Sequence, residues 1–269
     1  MEDAKVNRRE VLVLYSGGSD STLTAALACM RFKKVHLLTC RASMMYNLQK
    51  AKANVMLLQQ KFGKDKLTHK FLDSDEIFKT IYYNAYRSDL RKFGAYLSAC
   101  VCAACSLSWH VTAIIDCLKN GIDFACDGER YEDPPIWAEQ MKPILERVKK
   151  LYKAFGVMYE NPVYDVVRTD EKLFELGVTK ERDVKLERFA DRDIRHSQHP
   201  HLRWKSTQPD CHGGIVGVLY LSCHFVPLWG QTINEKIAAK YYDQKIPLCR
   251  ECIQNACISK EGIITKKRL

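Results

Sequence analysis

The residues best equipped for chemistry are the run Ser16-Gly17-Gly18-Ser19-Asp20-Ser21, followed by Thr22. Two glycines let the backbone approach an anion closely, and hydroxyls at both ends of the run add donors. Between a strand and a helix, such a loop suits phosphate, because first-turn helix amides are unbonded and carry partial positive charge. No Walker-type Lys follows, and the spacing is not the G-x-G-x-x-G of a dinucleotide site. The bland alternative is a strand–helix connection with a capping Ser or Asp. A second stretch, Cys126-Asp127-Gly128-Glu129-Arg130, follows the apolar run Ile122–Cys126. An acidic turn there either caps the next helix or lies at the carboxyl end of a parallel strand, where α/β proteins place sites.

Sulfur is the other conspicuous resource. The chain has 12 Cys. Cys29, Cys40, Cys117, Cys126 and Cys223 sit in apolar stretches and read as buried small hydrophobes. Others cluster: Cys100-Val-Cys102-Ala-Ala-Cys105, and Cys249-Arg-Glu-Cys252 followed by Cys257. Cys102 and Cys105, at C-x-x-C spacing near a helix start, suit a metal, a cluster or a redox pair, or are packed helix residues. Cys249, Cys252 and Cys257 supply three quarters of a zinc site, completed by Cys223, His224 or a cysteine of the first set. Alternatively, Cys249 and Cys252 join Cys102 and Cys105 in a four-cysteine site.

These residues need a scaffold. Glu10–Tyr15, Val35–Thr39, Lys66–Leu72 and Ile122–Cys126 read as strands, while Asp20–Phe32, Tyr46–Phe62, Asp75–Tyr86, Cys102–Lys119 and Ile136–Phe155 carry helical periodicity. Gly121 is a helix stop, and Asp133-Pro134-Pro135 breaks the chain. The alternation predicts an α/β fold with a parallel sheet covered by helices. The pattern weakens after about residue 160, so the expected organisation is a domain over 1–165 and a C-terminal extension over 166–269 organised by its cysteines. Trp109, Trp137 and Trp229 read as core.

Of 269 residues, 46% are apolar and 28% charged, which excludes a disordered or fibrous chain. Lys plus Arg number 42 and Asp plus Glu 32, a net +10 that favours polyanions such as RNA. Arg192–His196, His199–Lys205 and Lys266–Arg268 interleave basic with imidazole and indole groups or form a basic tail, able to track phosphates or simply solvated; His196, His199 and His201 are a weaker metal set. No apolar run approaches the roughly 20 residues of a membrane span. The start has no signal-peptide core, so a cytoplasmic chain is expected.

The run Ser16–Ser21 closely resembles the S-G-G-x-D-S signature of the PP-loop, or N-type, ATP pyrophosphatase superfamily, over roughly residues 10–165. The resemblance implies a Rossmann-like domain that binds ATP, adenylates a substrate carbonyl oxygen with loss of pyrophosphate, and lets a nucleophile displace AMP. It implies that Ser16, Gly17, Gly18, Ser19, Asp20 and Ser21 cradle the pyrophosphate, with Asp20 helping to hold Mg²⁺. Thr39 and Arg41 would lie beside the adenine, and Asp127 and Gly128 would face the α-phosphate. Glu129 stands where the family's familiar His would be.

The C-x-x-C position is similar to that of the tRNA 2-thiocytidine synthetase branch. There a distant third cysteine completes a [4Fe-4S] cluster, and Cys211 lies 106 residues after Cys105. The implied set is Cys102, Cys105 and Cys211, with one iron open for hydrosulfide and Cys100 as a spare ligand; Cys100 or Cys211 would carry a persulfide. The implied activity is ATP-dependent thiolation of a tRNA base, with tRNA, a sulfide or persulfide donor and no membrane as partners, and a homodimer left open. The C-terminal cysteines loosely resemble the zinc group of the 7-cyano-7-deazaguanine synthase branch, which implies the alternative of a small-molecule PP-loop enzyme with structural zinc. A third alternative is a nucleotide-binding or Fe–S sensor module without catalysis.

Overall fold

The computed structural model describes residues 9–42, 45–131, 137–180, 210–211, 220–221 and 225–258. In chain order the elements are β1 (Glu10–Leu14), α1 (Ser19–Arg31), β2 (Lys34–Arg41), β3 (Met45–Tyr46), α2 (Lys52–Phe62), β4 (Leu67–Asp73), α3 (Asp75–Ile81), α4 (Tyr86–Phe93), α5 (Cys100–Asn120), β5 (Phe124–Cys126), α6 (Lys142–Ala154), β6 (Met158–Glu160), α7 (Thr169–Glu175), β7 (Asp210–Cys211), α8 (Val226–Trp229) and α9 (Gln231–Ile258). They divide into two compact units that interleave along the chain, with no single cut near residue 165. One draws on Met1–Leu72, Phe124–Tyr131 and Tyr159–His212; the other on Asp73–Asp123, Glu132–Met158 and Gly213–Leu269.

The first unit is built on the expected parallel sheet, in the order β4–β2–β1–β5–β6. β1 pairs with β2 from Glu10↔Lys34 to Leu14↔Leu38, and with β5 through Leu12↔Ala125 and Val13↔Cys126. Val11, Leu12 and Val13 are all fully buried, as a strand covered on both faces requires. The core joins Val13, Leu23, Phe32, Leu37, Leu58, Phe124 and Leu173. Strand order reverses between β1 and β5, so the crevice beyond their carboxyl ends is the topological switch point. A separate antiparallel pair sets Met45 opposite Cys211 and Tyr46 opposite Asp210.

The second unit is helical. α3 and α9 pack on α5, and α9 also packs on α6. α5 ends at Gly121, whose φ of +68° is the left-handed stop expected. By length and composition α5 could cross a membrane, a test its Ser, Thr and His residues mask in the bare sequence, but 83% of that apolar stretch is buried inside the protein. The face of α9 carrying Ala238, Tyr241, Tyr242, Lys245, Cys249 and Ile253 is buried at helical spacing. Cys249 is one packing position in that face. Buried Lys245 meets buried Asp89 of α4 at 2.5 Å, and Gln244 donates to the same carboxylate at 2.6 Å.

Several expected elements shift. The helix expected over 46–62 starts at Lys52, because Asn47 takes a left-handed φ of +57° and Leu48–Ala51 forms a 3-10 turn. The one expected over 75–86 ends at Ile81, and a second helix, α4, begins at Tyr86. The helix expected from Ile136 begins at Lys142, with Pro143 in its first turn, where a missing amide costs nothing. β6 and α7 are additional. Trp229 is 60% exposed rather than core, whereas Trp109 and Trp137 are half-buried. Cys29, Cys40, Cys117 and Cys126 are buried as expected. Asp133–Pro135, the basic segments over 192–205 and 266–268, Cys223 and His224 lie outside the described residues.

Candidate nucleotide site

The loop Ser16–Gly18 leaves β1 and enters α1 at the switch point. Gly17 adopts φ +87°, a conformation costly for any residue with a Cβ. Its carbonyl accepts a 2.6 Å hydrogen bond from Asn54 Nδ2, pinning the loop to α2. Gly18 caps α1 with no side chain of its own, and its amide donates to Ser16 Oγ at 3.4 Å, so the loop hydroxyl sits at the anion-binding end of the helix. Ser16 and Ser21 hydroxyls bond each other at 3.1 Å, and Ser21 Oγ also donates to the Gly18 carbonyl at 3.2 Å. The two serines thus close the loop across its mouth. Ser19 and Ser21 are buried.

Asp20 sits in the first turn of α1 with its side chain 35% exposed. Thr169 of α7 donates to one carboxylate oxygen at 2.7 Å, and Arg130 Nε to the other at 3.3 Å. The carboxylate is oriented yet open to solvent, the disposition a divalent cation shared with phosphates needs. Sequence reasoning missed both partners. Arg130 ends a stretch already singled out, whereas Thr169 carries no local signal.

The turn after β5 closes the site's other side. Gly128 packs on the start of α1: a Cβ there would lie 2.6 Å from the Ser21 nitrogen and 2.7 Å from its Cα. Thr24 Oγ1 bonds the carbonyl oxygens of Asp20 at 3.0 Å and Asp127 at 3.2 Å, tying turn to helix. The Asp127 side chain is 4% exposed and accepts from Tyr159 OH, from Asn161 Nδ2 at 2.5 Å and from the Glu129 amide at 3.0 Å. Its carboxylate therefore shapes the turn from within.

At the end of β2, Thr39 is buried, donates to the Tyr15 carbonyl at 2.7 Å and meets His69 Nε2 at 2.8 Å. Burial, aided by the Lys52 ammonium, lowers the His69 pKa to about 4, so the ring is neutral. Thr39 thus fixes β1 to β2, while Arg41 is exposed at the strand end.

The cysteines are placed differently. Cys102 and Cys105 share the first turns of α5, Cys102 partly exposed and Cys105 buried; Cys211 is partly exposed on β7. Burial, with Asp89 nearby, drives the Cys100 thiol well above its ordinary range, and burial pushes Cys249 up to about 12 and raises Cys252. Cys249 and Cys257 lie on one helix, where eight residues of rise separate them by about 12 Å, whereas sulfurs on one zinc sit about 4 Å apart. Among the described residues no three His, Cys, Asp or Glu side chains gather as a metal site. Of the expected [4Fe-4S] set, Cys102 and Cys105 belong to the helical unit and Cys211 to the sheet unit; of the expected zinc set, Cys249, Cys252 and Cys257 all lie along α9.

Comparison with known proteins follows the fold. A family model described as "Family of unknown function (DUF7411)" matches residues 9–89, less than half of the chain. No curated protein sequence matches. Among solved structures, a 4-thiouridine synthetase–RNA complex with bound ATP aligns with TM-score 0.51 at 14% identity, over 93% of this chain and 54% of that one. A predicted subunit of tRNA methyltransferase from Methanocaldococcus jannaschii gives 0.37 at 19% identity, over 60% of this chain and 70% of that one. NMN synthetase from Francisella tularensis gives 0.38 at 9% identity, over 98% of this chain and 92% of that one. The chain spans about half the length of the 4-thiouridine synthetase. The two share one fold, a Rossmann-like parallel sheet with flanking helices, which is the fold that the PP-loop resemblance implies.

Proposed function

We propose that the chain binds ATP at the Ser16–Ser21 loop, adenylates a carbonyl oxygen of an RNA base, and directs sulfur onto the activated carbon. The observation that carries this reading is the closure of the loop at the switch point: Gly128 against the first turn of α1, and Asp20 held by Thr169 and Arg130. Loop amides and the positive end of α1 would stabilise the charge on departing pyrophosphate. Asp20, oriented and partly exposed, is the residue to hold Mg²⁺, which supplies charge neutralisation between the phosphates when bound. Ser16 and Ser21 hydroxyls and the backbone of the Asp127–Gly128 turn complete the cradle, and Thr39 and Arg41 border the base-binding end of β2.

The base oxygen attacks the α-phosphorus and pyrophosphate leaves. Sulfur then bonds to the carbon, and AMP departs with the former carbonyl oxygen. We assign Cys211 as the sulfur carrier. It is partly exposed, and its partner Met45 lies four residues beyond Arg41, past the carboxyl end of β2. An external persulfide donor passes its terminal sulfur to Cys211 and leaves as a thiol; the terminal sulfur of the Cys211 persulfide then attacks the carbon, and a second external thiol cleaves the S–S bond, leaving thiolated base and a mixed disulfide on Cys211. Buried Cys100, with its raised thiol, is not suited to this step. The synthetase that shares the fold is described as bound to RNA and ATP, and the net charge of +10 suits such a substrate. The test is pyrophosphate release from ATP with and without bulk tRNA. Release that rises with tRNA supports the reading, and no release under either condition overturns it.

A further inference from the structure

The helical unit carries an aromatic and basic surface that the nucleotide site does not use. Tyr82 is buried at the end of α3, stacked on Phe78 at 5.7 Å. Tyr83 and Tyr86 meet its ring edge-to-face at 5.4 and 5.9 Å. Those two rings are thereby oriented, yet Tyr83 is 50% and Tyr86 41% exposed. Along the same stretch Arg87, Arg91 and Lys92 are exposed. The only acid of α4, Asp89, is turned inward to Lys245 and Gln244. Arg87 and Arg91, one turn apart, have no ion pair among the described residues. Exposed, oriented tyrosine rings and unneutralised guanidinium groups along one short stretch of chain suit unpaired bases and their phosphates. Bases stack on fixed rings, and guanidinium groups grip the backbone.

We propose that Tyr83, Tyr86, Arg87 and Arg91 form a docking surface for single-stranded RNA, Tyr83 and Tyr86 as stacking platforms and Arg87 and Arg91 as phosphate contacts. The surface deepens the reading of the substrate as RNA and rests on it. Arginine is the apt cation here, since its planar fork pairs two phosphate oxygens at once. Duplex RNA keeps its bases stacked on each other and cannot use the tyrosines, so the surface selects unpaired segments.

The probe is a short fluorescein-labelled single-stranded RNA of mixed sequence, titrated with the full chain and followed by anisotropy, with the matching duplex as competitor. Tyr83→Ala and Tyr86→Ala are each expected to weaken binding by at least about fivefold, while Tyr→Phe at either position retains it. Arg87→Gln with Arg91→Gln is expected to lower the slope of log K against log salt by about 1.4. Ultraviolet crosslinking of the wild-type chain to the same RNA should place adducts on Tyr83 or Tyr86, a readout independent of any variant's folding. Alanine variants that bind as the wild type does, a duplex that competes as well as the strand, or adducts confined to other peptides each overturn the surface. If tRNA still stimulates pyrophosphate release when the surface fails these tests, the proposed function stands without it; a wild-type chain that binds no RNA removes both.

Discussion

Gly128→Ala asks whether the turn after β5 must touch α1. The added Cβ would lie 2.6 Å from the Ser21 nitrogen, 2.7 Å from its Cα and 2.9 Å from the Asp20 carbonyl carbon. All three are backbone atoms, so no side chain can swing aside. Reaching the 3.4 Å lower edge of ordinary contact requires a displacement of 0.8 Å between turn and helix. Thr24 opposes that displacement, because its hydroxyl bonds both strands of the junction. Overpacking of this kind costs about 1–3 kcal/mol. The cost to chemistry should be larger, since a misplacement near 1 Å at a reacting group costs on the order of a hundredfold in rate. Thermal unfolding and tRNA-stimulated pyrophosphate release, measured on the same preparation, separate the two effects. The expected result is a modest fall in midpoint with release reduced about a hundredfold. A variant as active as the wild type would refute the claim that this contact builds the site.

Asp20→Asn should abolish pyrophosphate release at a nearly unchanged thermal midpoint, because Asp20 is partly exposed and supports no core; retained release removes it from the site. Asp89→Ala should destabilise the chain by about 3–5 kcal/mol by stranding buried Lys245, and Asp89→Leu with Lys245→Met should recover most of that loss in chemical denaturation. Cys252→Ala should change stability by less than about 0.5 kcal/mol, with or without a chelator, since the face around Cys249 packs without metal; a large loss, or one matched by chelation, would reinstate zinc. Unfolded His69 takes a proton near pH 6.5, whereas the folded ring resists until about pH 4. The unfolded state therefore binds more protons in that window, so stability should fall as pH drops from about 6.5 to about 4 and level off below. His69→Gln should flatten that slope in denaturation curves taken across the window.

Where a local pattern and a tertiary demand agree, the bare sequence is informative. Val11–Val13 is apolar because both faces of β1 are covered, and the glycine-rich run follows because the chain must turn back at once into α1. α5 stops at Gly121 for reasons wholly local. The misses have a common cause. Thr169 orients Asp20 from 149 residues away, and Tyr159 and Asn161 hold Asp127 from more than 30, so no short window contains both members of either pair. β6 is only three residues long and so carries almost no period to detect. The cysteines are ambiguous for the opposite reason. C-x-x-C spacing on a helix places two sulfurs on one face whether the face binds metal or only packs. Only tertiary placement distinguishes the two, and within each pair one cysteine is buried and the other partly exposed.

The interleaving of the two units has a consequence for assembly. β5 and the Asp127–Gly128 turn belong to the sheet unit, yet they are strung between segments of the helical one. β1 cannot gain its second neighbour until more than a hundred further residues have been synthesised, and Asp20 cannot meet Thr169 until later still. Closing loops of that length precedes the contacts that repay it, which slows the step. On the ribosome, β1, β2 and β4 would emerge with the β1 edge unpaired and the phosphate loop open, and would stay so while α3, α4 and α5 follow. ATP-binding competence should therefore arrive late and abruptly, and nascent chains stalled before residue 169 should not retain the nucleotide.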